Sequence, residues 1–376
     1  MNLFDLETPA LVLDEPRMLR NIERMRSHLA SLGVAFRPHL KTCKSIDVAR
    51  HMMTAPNGPA TVSTLKEAEY FFDHGVSDLL YAVGIAPNKL PHVLALQARG
   101  ARLRIILDNV DAARAVGMAS RDAGQPLEAL IEIDSDGHRS GVHPDDPLLL
   151  DVARELEAGG ARLAGVMTHA GSSYSCTTVE AIRAMAEQER DAAVHCAMRL
   201  REAGYECPVV SVGSTPTATF ARDLTGVTEV RTGVFVFFDL FMAGIRVCTT
   251  DDIALSVLTS VIGHQREKGW AIVDAGWMAM SRDRGTARQA VDQGYGLVCD
   301  MHGRLVPDLV MIDANQEHGI VAHRSGDPAR LPDLPVGTLL RVLPNHACAT
   351  GAQHDRYHIV REDTRVHAIW PRFSGW

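Results

Sequence analysis

The chain has 376 residues, 46% apolar and 22% charged, enough to bury a substantial core as one large α/β domain or two ordinary ones. That balance excludes a disordered or fibrous chain. Its formal net charge of -8, with Lys and Arg scattered rather than gathered in runs, argues against nucleic acid or an anionic membrane as partner and leaves a small molecule.

The chain opens with MNLFDLETPALVLDEPRM, acidic where a signal peptide needs basic residues. No apolar run approaches the ~18 residues of a membrane span. The expected compartment is therefore the cytoplasm. The seven cysteines (Cys43, Cys176, Cys196, Cys207, Cys248, Cys299 and Cys348) are odd in number, widely spaced and free of any CxxC pair. No disulfide framework is expected; most of them read as buried thiols.

From residue 12 to about 245, β-rich runs alternate with amphipathic helical stretches, the rhythm of parallel strands joined by helices. The strands fall at 35–41, 60–64, 78–83, 102–108, 127–134, 163–171, 208–215 and 229–237. Helical segments such as 16–33, 65–75 and 178–204 end at or near Gly. Eight β-α units in roughly 250 residues predict a (β/α)8 TIM barrel, and no GxGxxG follows the first strand to suggest a dinucleotide fold. After residue 245 the segments turn β-rich with polar turns, as in IALSVLTSVIGHQ and TLLRVLPNHACAT. The spacing predicts a mostly antiparallel β domain over 246–376, which 1–11 joins as a further strand.

Reactive groups of a barrel sit at the C-terminal ends of its strands. Lys41 ends the first strand, where apolar neighbours would desolvate it, lower its pKa and leave an amine able to form an imine with an aldehyde. A plain surface lysine explains that position equally well, and Lys44 is a rival three residues on. Gly213, Ser214 and Thr215 close the seventh strand and Gly233 lies in the eighth, where exposed backbone N–H groups and hydroxyls can hold a phosphate or simply form turns. His39, His138, His169 and His318 lie beside strand ends or turns as acid–base candidates. His346-Ala347-Cys348 reads as strand, so both outer side chains would share a face, about 7 Å apart along the backbone. Imidazole with thiolate suits Zn²⁺ or a similar ion, with positions left open for water or substrate. A half-buried His beside a core Cys is the bland alternative.

RPHLKTCKS, DSDGHRSGV, THAGSSY, VGSTPT, VDAGWMAMSRDRGT, NQEHG and PNHACATG together resemble the fold-type III pyridoxal-phosphate family, over essentially the whole chain. Within it they are similar to the branch of D-serine dehydratases, D-threo-3-hydroxyaspartate dehydratases and D-threonine aldolases. The resemblance implies an alanine-racemase-like fold and a homodimer. Pyridoxal 5'-phosphate would be bound as a Schiff base on Lys41, with Arg139 near its phenolic oxygen, Tyr174 by the ring and His169 among its further contacts. Gly213, Ser214, Thr215, Gly233 and Val234 would hold its phosphate. His346 and Cys348 match the family's metal pair, for a divalent ion such as Zn, Mn, Co or Mg.

The aldolases typically read HCDPT where this chain has HACAT, so the resemblance implies dehydration of a D-3-hydroxy amino acid to a 2-oxo acid and ammonia. PNHACATGAQ and GWMAMSRDRGTARQ are most like the hydroxyaspartate branch. Retro-aldol cleavage to glycine and an aldehyde is the rival within the family; a racemase and a non-catalytic pyridoxal-phosphate carrier are more distant ones. SRDRGTAR adds Arg282, Arg284 and Arg288 as spare cations for an acidic substrate, of which at least two are expected to be solvated, and His318 is a further substrate candidate.

Overall fold

Short apolar runs become largely buried strands of two to seven residues in the computed structural model, which describes residues 1–376. After β1 (Ala10–Asp14) come β2 (Ala35–Phe36), β3 (Ala60–Val62), β4 (Asp78–Gly84), β5 (Arg102–Leu107), β6 (Glu128–Ile133), β7 (Arg162–Thr168), β8 (Val209–Val212) and β9 (Glu229–Val230). Strands β2 to β9 form one parallel sheet in the order β2-β9-β8-β7-β6-β5-β4-β3. Its edges meet just beyond β2, where Thr61 N donates to Pro38 O and Leu40 N to Thr61 O, both at 2.8 Å, so the curled sheet closes on itself. Helices follow the strands, several begun by a side chain accepting a backbone N–H: Thr64, Asn109 and Thr178 cap Leu65–Asp73, Val110–Ala123 and Val179–Glu202. Leu80, Ile106, Leu130, Ala164 and Met167 form a core cluster, each large aliphatic worth roughly 1.5–3 kcal/mol in water exclusion. Near the strand starts, Arg37, 3% exposed, is held by Glu229 and Asp78 at 2.8 Å each. The buried guanidinium is thereby satisfied by two carboxylates from different strands.

The second sheet contains β10 (Leu255–Gln265), β11 (Trp270–Val273), β12 (Gly296–Cys299), β13 (Leu305–Ala314), β14 (Gly319–His323), β15 (Leu339–Pro344), β16 (Arg356–Val360) and β17 (Ala368–Pro371). Order β11-β14-β13-β12-β15-β10 closes into a ring because β11 pairs back onto the second half of β10. β1 joins this sheet, antiparallel to β10 and parallel to β16, with β17 outermost. No helix of the chain is long and apolar enough to cross a membrane.

Two compact units result. One is Arg24–Lys41, Ala49–Gly233 and the last two residues; the other is Met1–Glu23, Thr42–Val48 and Val234–Ser374. The sequence reading draws a single boundary at 245, whereas the β-rich unit also takes in 42–48 and 234–245. Its own bonds explain why: Tyr357 Oη donates to Cys43 O at 2.6 Å, Phe373 N to Lys44 O at 3.1 Å, and Ala347 N to Asp239 Oδ2 at 2.9 Å.

Three strand expectations need correction. The first strand is only Ala35–Phe36, so Lys41 lies beyond it rather than at its end. The eighth strand is only Glu229–Val230; Val234–Val236 wind into a 3-10 turn, with Phe237 and Phe238 N bonded to Val234 O. His346-Ala347-Cys348 is not strand either. β15 stops at Pro344 because the Asn345 side chain is drawn to Gly294 O (2.6 Å) and Thr286 Oγ1 (2.5 Å), and His346 then precedes a short helix, Ala347–Gly351.

Candidate active site

At the C-terminal end of the barrel strands the structure gathers His39, Lys41, Arg139, His169 and Arg231. Lys41 is exposed rather than desolvated by its neighbours; Leu40 and Thr42, on either side of it, are the buried residues. Its ammonium is nevertheless close enough to act on both imidazoles. Burial, then Lys41 and Arg231, holds His39 well below its ordinary pKa. For His169, burial outweighs a bond to Gly213 O and, with Lys41, Arg139 and Arg231, brings the ring down to about 3. Two neutral histidines among three cations make this an electropositive place suited to an anionic ligand. Gly213 O only accepts, so the His169 proton sits on Nδ1, 3.0 Å away, leaving Nε2 with a lone pair. Tyr174, in the 3-10 turn Gly171–Ser175, stands 6.0 Å from His169 ring to ring. Arg139 is exposed on a loop pinned by Asp134, which accepts from Asp136 and Gly137 N, and by Asp108, which accepts from Gly141 N.

The loop after β8 is built around Gly213, at φ +132, where an added Cβ would lie 2.2 Å from Arg231 O; only glycine fits. The expectation of exposed, free N–H groups here needs refining, since the segment is buried. Gly213 N donates to Glu189 Oε1 (3.1 Å) and Ser214 N to Thr217 Oγ1 (3.0 Å). Thr215 is tied through its hydroxyl to Thr232 at 2.5 Å. The N–H groups of Thr215 and Gly233, and of Val234 next in the chain, have no protein acceptor although all three residues are buried. Unmet buried donors near cations are what a phosphate requires, so these residues fit the phosphate of pyridoxal phosphate.

In the β-rich unit, the Cys348 sulfur acts on the His346 ring both as a charge and as a hydrogen-bond partner. His346 Nδ1 lies 2.6 Å from Asp283 Oδ2, and Thr42 Oγ1, next in the chain after Lys41, lies 3.2 Å from Cys348 Sγ. Burial opposes charge on the His346 ring, but the Cys348 thiolate, Asp283 and Asp239 outweigh it and raise the pKa to about 11. The His346 bond holds the Asp283 carboxyl below its usual range. With Nδ1 turned to a carboxylate, Nε2 is the nitrogen left for a metal, and a thiolate beside it is the matching soft donor. This donor set fits a divalent ion with open positions; no group of three or more His, Cys, Asp or Glu gathers into a closed metal cage.

Other candidates separate. Lys44 lies with Nζ 5.5 Å from the Phe373 ring. Arg284 is committed to Asp292 at 2.7 Å and to the face of Tyr295. Arg282 lies 5.0 Å above Trp277, and Arg288 and His318 are exposed. Cys43, Cys196, Cys207 and Cys299 are buried thiols in no disulfide, burial pushing Cys196 to about 12 and Cys207 and Cys299 to about 11. Sequence reasoning missed Arg231, Asp283, Thr42 and Glu189. Arg231 had a signal, a cation at the end of an apolar strand. Glu189 had a clearer one, a lone acid in the buried stripe of its helix.

A parallel barrel with an electropositive rim, coupled in one chain to an antiparallel β domain bearing a His–Cys pair, defines an α/β enzyme class with an anionic cofactor. Residues 13–240 match the family model "Alanine racemase, N-terminal domain" and 254–360 the "Putative serine dehydratase domain", and the chain belongs to this family. It is 57% identical over 379 residues to D-threo-3-hydroxyaspartate dehydratase of Delftia sp. (strain HT23), covering 100% of this chain and 99% of that one. It is 30% identical to D-serine dehydratase of Schizosaccharomyces pombe, over 98% of this chain and 92% of that one. The solved structure of the Delftia enzyme superposes with a TM-score of 0.97, covering 100% of each chain at 57% identity. Variants of the same enzyme have been solved with a histidine or a cysteine replaced by alanine, the two positions two residues apart, and the cysteine variant is described as metal-free.

Proposed function

We propose that this protein is a pyridoxal-phosphate- and divalent-metal-dependent lyase that dehydrates D-3-hydroxy amino acids, D-threo-3-hydroxyaspartate foremost, to a 2-oxo acid and ammonia. The observation that carries the reading is the interacting His346–Cys348 pair, at the spacing of the histidine and cysteine replaced in the variants of the 57%-identical dehydratase.

Lys41 would anchor the cofactor through its aldehyde, Arg139, His169 and Tyr174 would flank the ring, and Gly213, Ser214, Thr215, Gly233 and Val234 would enclose the phosphate. Bound there, pyridoxal phosphate supplies an electron sink for charge developing at the substrate's Cα. The Lys41 amine, once released from the cofactor, takes the Cα proton. His169 keeps its Nε2 unprotonated, held so by burial and the surrounding cations. His346 Nε2 and the Cys348 thiolate would hold a Zn, Mn, Co or Mg ion, which supplies Lewis-acid activation of a β-hydroxyl as leaving group. Asp283 orients the His346 ring.

The test is product analysis after separate incubation with D-threo-3-hydroxyaspartate, D-serine and D-threonine. Ammonia with a 2-oxo acid is expected; glycine with an aldehyde as the main products would refute dehydration and establish retro-aldol cleavage instead. The same reading makes the protein a cytoplasmic homodimer, which cell fractionation and the mass in solution check.

A further inference from the structure

Helix Val179–Glu202 turns one stripe inward, Ile182, Ala186, Ala193, Cys196, Ala197 and Leu200, and in its middle stands Glu189, 2% exposed. A carboxyl at a core position is costly unless donors satisfy it. Glu189 Oε1 accepts the N–H of Ala170 at 2.8 Å and of Gly213 at 3.1 Å, and the nearby Thr217 hydroxyl favours its charged form against burial. Ala170 follows β7 and Gly213 follows β8, so one side chain ties two catalytic-end loops together. Gly213 is gripped on both sides, its N–H by Glu189 and its C=O by His169 Nδ1 at 3.0 Å. From Thr217 the bonds continue to Ser214 at 2.9 Å, and from Ser214 to Ser173 at 2.9 Å. Because Gly213 and Ser214 N–H are both engaged inside the protein, Thr215 is the first residue of the turn with an unengaged N–H.

We infer that Glu189 is a positioning residue that sets the grip on the cofactor's phosphate by clamping the Gly213–Thr215 turn to the loop carrying His169. The inference rests on the cofactor reading above. Glu189 touches no ligand itself; its carboxyl group decides which backbone amides stay inside the protein and which one is offered outward.

The distinguishing measurement compares pyridoxal phosphate with pyridoxal, which lacks the phosphate. Cofactor-free wild type, Glu189→Ala and Glu189→Gln are each titrated with both ligands by absorbance, with the melting temperature of each cofactor-free protein recorded. The wild type is expected to favour the phosphorylated ligand. Glu189→Ala should cut that preference about tenfold, the equivalent of one buried hydrogen bond. Glu189→Gln keeps an oxygen for the two N–H donors and should retain most of the preference. If Glu189→Ala weakens both ligands equally, or neither, Glu189 is only a structural residue and the inference falls. If that variant does not fold, Thr217→Val, which removes only the hydroxyl between Glu189 and Ser214, is measured instead, and an unchanged preference there overturns the inference. A wild type that binds both ligands equally well overturns the cofactor reading and this inference with it.

Discussion

Replacing Asp283 with asparagine should weaken metal binding while leaving the fold intact. His346 Nδ1 donates to Asp283 Oδ2 at 2.6 Å, a charge-assisted bond of a kind worth about 1.5–3 kcal/mol. The two side chains are 41% and 43% exposed, so solvent screens part of that energy. About 1–2 kcal/mol should remain, or roughly 5- to 30-fold in affinity. Asparagine retains an oxygen that can accept from Nδ1, so the loss measures the carboxylate's charge rather than a collapse of the ring's orientation. The assay is competition for Zn²⁺ and Mn²⁺ between a chromogenic chelator and wild type, Asp283→Asn or Cys348→Ala, with melting curves of the metal-free proteins to verify folding. If Asp283→Asn bound either metal as tightly as wild type while Cys348→Ala lost it, Asp283 would have no part in the metal site.

Stability should fall in acid through His169. Its pKa is about 3 in the folded protein against 6.5 unfolded, so above pH 6.5 the ring is neutral in both states and contributes nothing to the pH dependence. Below pH 6.5 the unfolded chain takes up a proton that the native site refuses, and stability drops by about 1.4 kcal/mol per pH unit down towards pH 3. Urea midpoints at several pH values should show a shallower slope in His169→Asn; equal slopes would mean the ring is charged in the folded protein. Gly213→Ala places a Cβ 2.2 Å from Arg231 O at φ +132, and should cost at least about 3 kcal/mol from strain and clash together, read as a fall in melting temperature. An unshifted melting curve would contradict the close approach of β8 and β9 at this point. Arg282 has no carboxylate partner whereas Arg284 is bound to Asp292, so Arg282→Ala should reduce the preference for D-threo-3-hydroxyaspartate over D-serine and Arg284→Ala should not. An unchanged preference in both variants would remove the arginines from substrate recognition.

The barrel was legible because each strand is a short apolar run set between helices of the right length, a local pattern that needs no knowledge of distant contacts. Its limits show at 229–237, where VFVFF has the composition of a buried strand but winds into a 3-10 turn; periodicity does not distinguish the two in so short a run. LLRVLPNHACAT reads as one continuous strand because the side chain that ends it, Asn345, acts through Gly294 and Thr286, 51 and 59 residues away. Asp283 is 63 residues from His346, and nothing in SRDRGTAR marks the aspartate rather than the arginines as the residue meeting the pair. Glu189 was legible in principle, since one acid in a helix's buried stripe must be bonded to something; what it bonds depends on how β7 and β8 end, which a helical pattern does not encode.

The way the chain is shared between its two units also constrains how it is made. Residues 1–23 and 42–48 belong to the β-rich unit, but the rest of that unit, Val234–Ser374, is not yet synthesised when they leave the ribosome. The whole of Ala49–Gly233 is translated in between, roughly 10 to 40 s at ~5–20 residues per second. During that interval β1 has no β10 or β16 to pair with, and the seven-residue segment Thr42–Val48 waits for partners from the far end of the chain. A nascent chain halted before residue 234 should therefore protect the barrel strands from protease while leaving β1 open to it.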